Sequence, residues 1–221
     1  MRWVSIQMET LVLATNNAHK LEEIRAILGN RFDIKSLRDI GCHDDIPETG
    51  STFQENALQK AQYVKEHFGF DCFADDSGLE VEALNWEPGI YSARYAQING
   101  RNVTPENKDS VNMDVLLEKL HSLQPQLGEK AGARILSPAR FRTAIALLYH
   151  GSVHYFDGIV PGVIIDEKRG TEGFGYDPIF IPGGYTQTFA QLGSEVKNGI
   201  SHRARAVAQL SQFFKMTASG R

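Results

Sequence analysis

Asp75-Asp76-Ser77-Gly78 places two adjacent carboxylates, a hydroxyl and a conformationally permissive glycine in one short stretch. An apolar run, Cys72-Phe73-Ala74, precedes it, and an alternating run, Leu79 to Leu84, follows. Both flanks read as β-strand, one buried and one half-exposed, so the carboxylates fall at a strand end. Neighbouring carboxylates repel each other and lose hydration near a core unless something cationic faces them. A hard divalent cation with oxygen ligands would offset that cost. Taken alone, the same residues also read as a solvated acidic turn.

Four further groups carry residue types suited to the same chemistry. Thr15-Asn16-Asn17-Ala18-His19-Lys20 follows an apolar run and precedes a helical pattern. Such a strand-to-helix loop aims unpaired backbone N–H groups at whatever lies above it, and the helix dipole favours an anion there. Lys20 in the first turn opposes that dipole, which a bound phosphate would explain. Asn16 and Asn17 tolerate left-handed backbone. The glycines of a P-loop are absent. Glu48 lies in a loop, and Asn56 and Lys60 lie four apart on a helix; each by itself reads as a surface polar residue. Gly173-Phe174-Gly175-Tyr176-Asp177-Pro178 combines glycines with aromatic rings that could stack on a planar ligand or simply anchor a loop. Lys197, His202 and Arg203 gather cations at an apparent helix start, where the dipole disfavours them.

The elements that would position these groups follow from periodicity. Leu11-Val12-Leu13-Ala14 reads as a buried strand, then a helix places Leu21, Ile24, Ile27 and Leu28 on one face and stops at Gly29-Asn30. Thr52 and Glu55 form a capping box for a second helix. Pro88 to Arg94 reads as a turn and ordered loop. Thr104-Pro105 opens a third helix, Gln124 to Pro138 reads as a surface insertion, and residues 141–149 and 153–160 form a hairpin across His150-Gly151-Ser152. Val163 to Ile165 extends the sheet, and Ser201 caps a last helix. The pattern is α/β.

The chain has 221 residues, 42% hydrophobic and 23% charged, which suits one domain or two lobes sharing a core. A net charge of -4 argues against a polyanionic nucleic acid as partner while leaving small phosphorylated ligands open. Cys42 and Cys72 are too few and too far apart for a disulfide framework or zinc site, and fit a reducing cytoplasm. No run is long enough to span a membrane. Residues 1–7 lack a signal-peptide stretch and read as either an N-terminal extension or an over-called start ahead of Met8.

In this order, Ala14-Thr15-Asn16-Asn17, Ala74-Asp75-Asp76-Ser77-Gly78-Leu79, Pro88-Gly89-Ile90-Tyr91-Ser92-Ala93-Arg94, Gly173 to Pro178 and Ile200-Ser201-His202-Arg203 resemble the motifs of the inosine triphosphate pyrophosphatase family. The resemblance runs from Leu11 to about Phe214. It implies hydrolysis of non-standard purine nucleoside triphosphates (ITP, dITP, XTP) to monophosphate and pyrophosphate. It also implies a single domain over 1–221, with a long mixed central sheet and two α/β lobes flanking a nucleotide cleft. A Mg²⁺ requirement and a homodimer come with it.

Carried over by position, Thr15, Asn16, Asn17, Ala18, His19 and Lys20 would hold the triphosphate. Glu48 and Asp76 would organise Mg²⁺, with Asp76 also the proton acceptor. Ser77, Lys60 and Lys197 would contact substrate, and Lys20, Lys60 and Lys197 would stabilise the leaving group. Phe174, Gly175, Tyr176, Asp177, His202 and Arg203 would frame the base. The family often has glycine where Asn16 stands, and the 124–138 stretch is longer than usual. A related pyrophosphatase of the septum-inhibitor type and a nucleotide-sensing module are the competing readings.

Overall fold

The computed structural model describes residues 9–28, 32–124 and 127–219. The expected N-terminal extension and the Gly29-Asn30 stop lie outside them. Strands β1 (Glu9–Leu13), β2 (Phe32–Lys35), β3 (Cys72–Val81), β4 (Glu129–Lys130), β5 (Ala133–Tyr149), β6 (Ser152–Ile165) and β7 (Phe180–Pro182) form a seven-stranded sheet. Its order is β2-β1-β3-β5-β6-β7, with β4 paired to β5. The sheet is mixed: β1 pairs parallel with β2 and β3, and β7 pairs antiparallel with β6. The helices are α1 (Ala18–Leu28), α2 (Phe53–Phe68), α3 (Tyr95–Ile98), α4 (Lys108–Ser122), α5 (Phe189–Ile200) and α6 (His202–Ser219). No described helix is long and apolar enough to cross a membrane.

The chain divides into two compact units. The first takes the chain up to Asp76, Ala144–Phe156 and the chain from Val207 onward. One of its cores packs Val12, Leu37, Cys42, Ala61, Val64, Cys72 and Ala74. The second takes Ser77–Thr143 and Asp157–Ala206, around Leu79, Tyr95, Leu116, Phe141, Ile179, Phe180 and Phe189. Burying each large apolar side chain stabilises by about 1.5–3 kcal/mol, so these clusters dominate the stability of either unit.

Several local expectations need correction. The acidic stretch is not a turn, because β3 runs unbroken through Asp75, Asp76 and Gly78. Sheet pairing overrides the turn preference of Asp, Ser and Gly, since strand propensity yields to neighbours. The third helix starts at Lys108, not after Thr104, because the Asn107 side chain accepts the Thr104 N–H at 2.7 Å and holds a turn there. The ordered loop expected over Pro88 to Arg94 takes the form of 3₁₀ turns over Gly89–Arg94 that run into α3. Of the stretch expected as a surface insertion, Glu129–Lys130 and everything from Ala133 onward is strand, and Leu136 and Ser137 are wholly buried. The hairpin forms as expected, with His150 and Gly151 both left-handed (φ 48° and 79°).

Candidate active site

Parallel pairing of β1 with β3 decides where the first charged group assembles. Val12 and Leu13 pair with Cys72 and Phe73, and the Ala14 N–H donates to the Phe73 carbonyl at 2.8 Å. The loop leaving the C-terminal end of β1 therefore emerges beside Asp75, within β3. Asn16, Asn17, Ala18 and His19 are exposed there. Asn17 caps α1, its Oδ1 accepting the Lys20 N–H at 3.2 Å, while Thr15 Oγ1 accepts the Asn17 N–H at 3.2 Å. Neither asparagine is left-handed, so no glycine-like backbone is needed at Asn16. Lys20 Nζ lies 3.0 Å from the fully buried Asp75 carboxylate, which gives the cation in the first turn a partner of its own.

Asn56 and Lys60 are not surface residues. Phe53, Asn56, Ala57, Lys60, Ala61 and Val64 form the buried stripe of α2, so two polar side chains occupy apolar positions. Lys60 Nζ contacts Glu48 Oε1 at 2.5 Å and donates to the Asp75 carbonyl at 2.8 Å. Asn56 Nδ2 donates to Asp76 Oδ2 at 3.0 Å. The helix N-terminus that presents them is capped as expected, Thr52 Oγ1 accepting the Glu55 N–H at 3.1 Å, while the Glu55 carboxylate accepts from Ser51 at 2.6 Å.

The protonation preferences follow from this crowding. Burial lifts the Asp76 carboxyl above the usual carboxylate range; Lys60 and Lys20 oppose that, Glu48 adds to it, and Asn56 opposes it. Burial would depress the Lys60 ammonium, but Asp76, Glu48 and Asp75 outweigh it and hold its pKa above the ordinary value. The first unit thus carries interleaved acids and lysines, with the buried Asp76 carboxyl among them and an exposed loop beside Asp75.

The second unit holds the other expected residues. Asp177 Oδ2 accepts from the Phe174 N–H at 2.9 Å and from Lys197 Nζ at 2.7 Å. Asp109, from α4, accepts the Gly175 N–H at 2.7 Å and pins the same loop. Gly173 is left-handed (φ 78°), and a Cβ there would lie 2.2 Å from the Asp177 carboxylate. Lys197 Nζ sits 4.5 Å from the Phe174 ring centroid, and the Arg203 guanidinium 5.7 Å. Arg203 Nη2 donates to Ser77 Oγ at 3.3 Å, and that hydroxyl also bonds Thr143 at 2.8 Å. The His202 ring stacks on Phe141 at 4.8 Å.

Two expectations change here. Lys197 is not at a helix start but in the last turn of α5, where the dipole favours a cation. It joins the Phe174–Asp177 group. Tyr176 anchors the loop rather than offering a ring, being buried with its hydroxyl on the Ser92 carbonyl at 2.9 Å. Three contributors are not evident along the chain: Asn56, which reads as a surface polar residue, Asp75 as partner of Lys20, and Asp109. Polar residues inside the apolar stripe of α2 were the readable signal for the first.

A sequence profile of the Ham1 family matches residues 11–213. The chain belongs to that family. It is 51% identical to a dITP/XTP pyrophosphatase of Porphyromonas gingivalis over 93% of this chain and 97% of that protein. It is 40% identical to a dITP/XTP pyrophosphatase of Bacillus subtilis over 95% and 99%. Among solved structures, the Ham1 protein of Staphylococcus aureus superposes with a TM-score of 0.77 at 37% identity, covering 95% of this chain and 100% of that one. A HAM1 protein from Coxiella burnetii gives 0.79 at the same identity and coverage. The inosine triphosphate pyrophosphatase resemblance and the mixed-sheet α/β expectation are thereby borne out.

Proposed function

We propose that the protein hydrolyses non-standard purine nucleoside triphosphates, ITP, dITP and XTP, to the monophosphate and pyrophosphate. The observation that carries this reading is the buried Asp76 carboxylate among Lys60, Lys20 and Glu48 in a chain that matches dITP/XTP pyrophosphatases over nearly its whole length.

Asp76 and Glu48 present hard carboxylate oxygens, and Mg²⁺ typically binds through one or two carboxylates plus substrate phosphates, so this donor set fits the ion. Bound there, Mg²⁺ would neutralise charge on phosphate oxygens. The exposed Asn16–His19 loop and the start of α1 offer N–H groups to the polyphosphate. Asp76, raised above the usual range by burial, accepts a proton from a water that attacks the α-phosphorus. The bond from that phosphorus to the bridging oxygen breaks, and Lys20 and Lys60 balance the charge of the departing pyrophosphate. Phe174 stacks on the base and the Arg203–His202 pair frames it. Arginine has only donors, so it suits the O6 of hypoxanthine and xanthine and mispairs with the amino group of adenine. Homodimer formation and a cytoplasmic location belong to the same reading; sedimentation tests the first.

Pyrophosphate release from ITP, dITP and XTP, measured beside the four standard triphosphates, is the decisive assay. Rapid turnover of ITP, dITP and XTP with little from ATP is expected; guanine shares O6, so any discrimination against GTP comes from contacts other than this edge. Equal turnover of ATP and ITP sinks the base-reading argument, and no pyrophosphate from any of them sinks the whole assignment.

A further inference from the structure

Asn56 is fully buried on α2 and uses both ends of its amide. Nδ2 donates to Asp76 Oδ2 at 3.0 Å, and Oδ1 accepts the Gly50 N–H at 2.8 Å. Gly50 lies two residues after Glu48, whose carboxylate is held by Lys60, one turn along the same helix stripe. One helix therefore fastens the loop that carries Glu48 through Lys60 to Glu48, Gln59 to Thr49, Asn56 to Gly50 and Glu55 to Ser51, and through Asn56 it also holds the strand residue Asp76. The backbone is drawn in tightly: a Cβ on Gly50 would lie 2.6 Å from Glu55 Cβ and 2.9 Å from Asn56 Oδ1.

We propose that Asn56 is a positioning residue that holds the Asp76 carboxylate and the Glu48 loop in one fixed arrangement for hydrolysis. The residue type follows from the two partners. A carboxylate needs a donor, a backbone N–H needs an acceptor, and both must sit on one short, planar side chain. Alanine supplies neither, and an ionised aspartate supplies the acceptor while setting a like charge against Asp76. The inference rests on the hydrolytic reading above, but the tether to Gly50 can be measured without turnover.

The test compares Asn56→Ala and Asn56→Asp with the wild type in two readouts: kcat and KM for ITP, and amide exchange at Gly50 in nucleotide-free protein. Misplacing a reacting group by about 1 Å can cost about 100-fold, so Asn56→Ala should lower kcat by about 30- to 100-fold with KM changed less than about 3-fold. Its Gly50 amide should exchange about 10-fold faster or more, because the local opening loses its acceptor. Asn56→Asp keeps that acceptor, so Gly50 stays protected while kcat falls at least as far. A merely structural asparagine would lower the melting temperature without this split. Wild-type kcat in either variant overturns the proposal, as does unchanged Gly50 exchange in Asn56→Ala. Should Asn56→Ala not fold, Asn56→Asp carries the test through its kcat, a wild-type value overturning the proposal. An active wild type with unaffected variants removes only Asn56, whereas a wild type inert toward ITP removes the hydrolytic reading itself.

Discussion

In the first unit each lysine of the site faces carboxylates: Lys20 meets Asp75, and Lys60 meets Glu48. In the second, Lys197 also meets a carboxylate, Asp177, but it lies over the Phe174 ring as well, with Arg203 near the same ring. The first arrangement is dense in charge of both signs and borders exposed N–H groups, which suits a polyanion and its counter-ion. The second is a small aromatic platform with most of its charge already neutralised, which suits a flat, uncharged base. The supports differ accordingly. Strand β3 and helix α2 hold the charged set rigidly, whereas a loop tied by Asp109 and Asp177 holds the platform. The buried members of the charged set stand on regular elements, whereas Phe174 stands on a pinned loop.

That contrast can be broken in order of effect. Asp76→Asn should lower kcat by about 10²- to 10⁴-fold, the usual worth of a positioned base, in a steady-state pyrophosphate assay. Lys60→Met should destabilise the fold by about 3 kcal/mol, the lower end for breaking a buried pair because Glu48 is partly exposed, as measured by urea unfolding. Phe174→Ala should act on recognition instead, raising KM for ITP by about 5- to 100-fold, the worth of one stacked base, with kcat changed less. A comparable loss of kcat would merge the two roles.

The smaller effects sharpen the same distinction. Burial raises the folded Asp76 pKa, so the unfolded state is the better acid and the wild type loses stability as pH climbs through the folded value. Asp76→Asn lacks that penalty. In metal-free buffer it should therefore melt higher than wild type at pH 7, by about 2–4 °C for each kcal/mol relieved, and the gap should close below about pH 3.8. Smallest of all, the Cys72 thiol is pushed up to about 12, chiefly by burial, so neutral iodoacetamide should leave it unmodified in the native protein by mass spectrometry.

Much of the fold was legible because periodicity and caps agree with it. The Leu11 run, the Thr52 cap, the His150-Gly151 hairpin and the Ser201 cap all appear where the residues suggest. Failures came where local chemistry competed with tertiary pairing. Asp-Asp-Ser-Gly has the composition of a turn, yet β3 passes straight through it. Helix α5 leaves no clean period in the sequence, its pattern being broken at Gly193 (φ 77°, ψ 167°). Without that helix, Lys197 reads as a misplaced cation at the start of the next one. Asn56 reads as exposed because it is polar, although positions 53, 56, 57, 60, 61 and 64 share one buried stripe.

By itself the chain dictated which side chains are available and in what order, because hydrophobic period and turn chemistry act over a few residues and can be read along a line. Only the tertiary structure decided the pairings: Lys20 on Asp75, Asn56 on Asp76, Lys197 on Asp177. Those depend on strand register and helix docking, which bring together residues tens of positions apart, and electrostatic energy depends on that separation in space rather than along the chain.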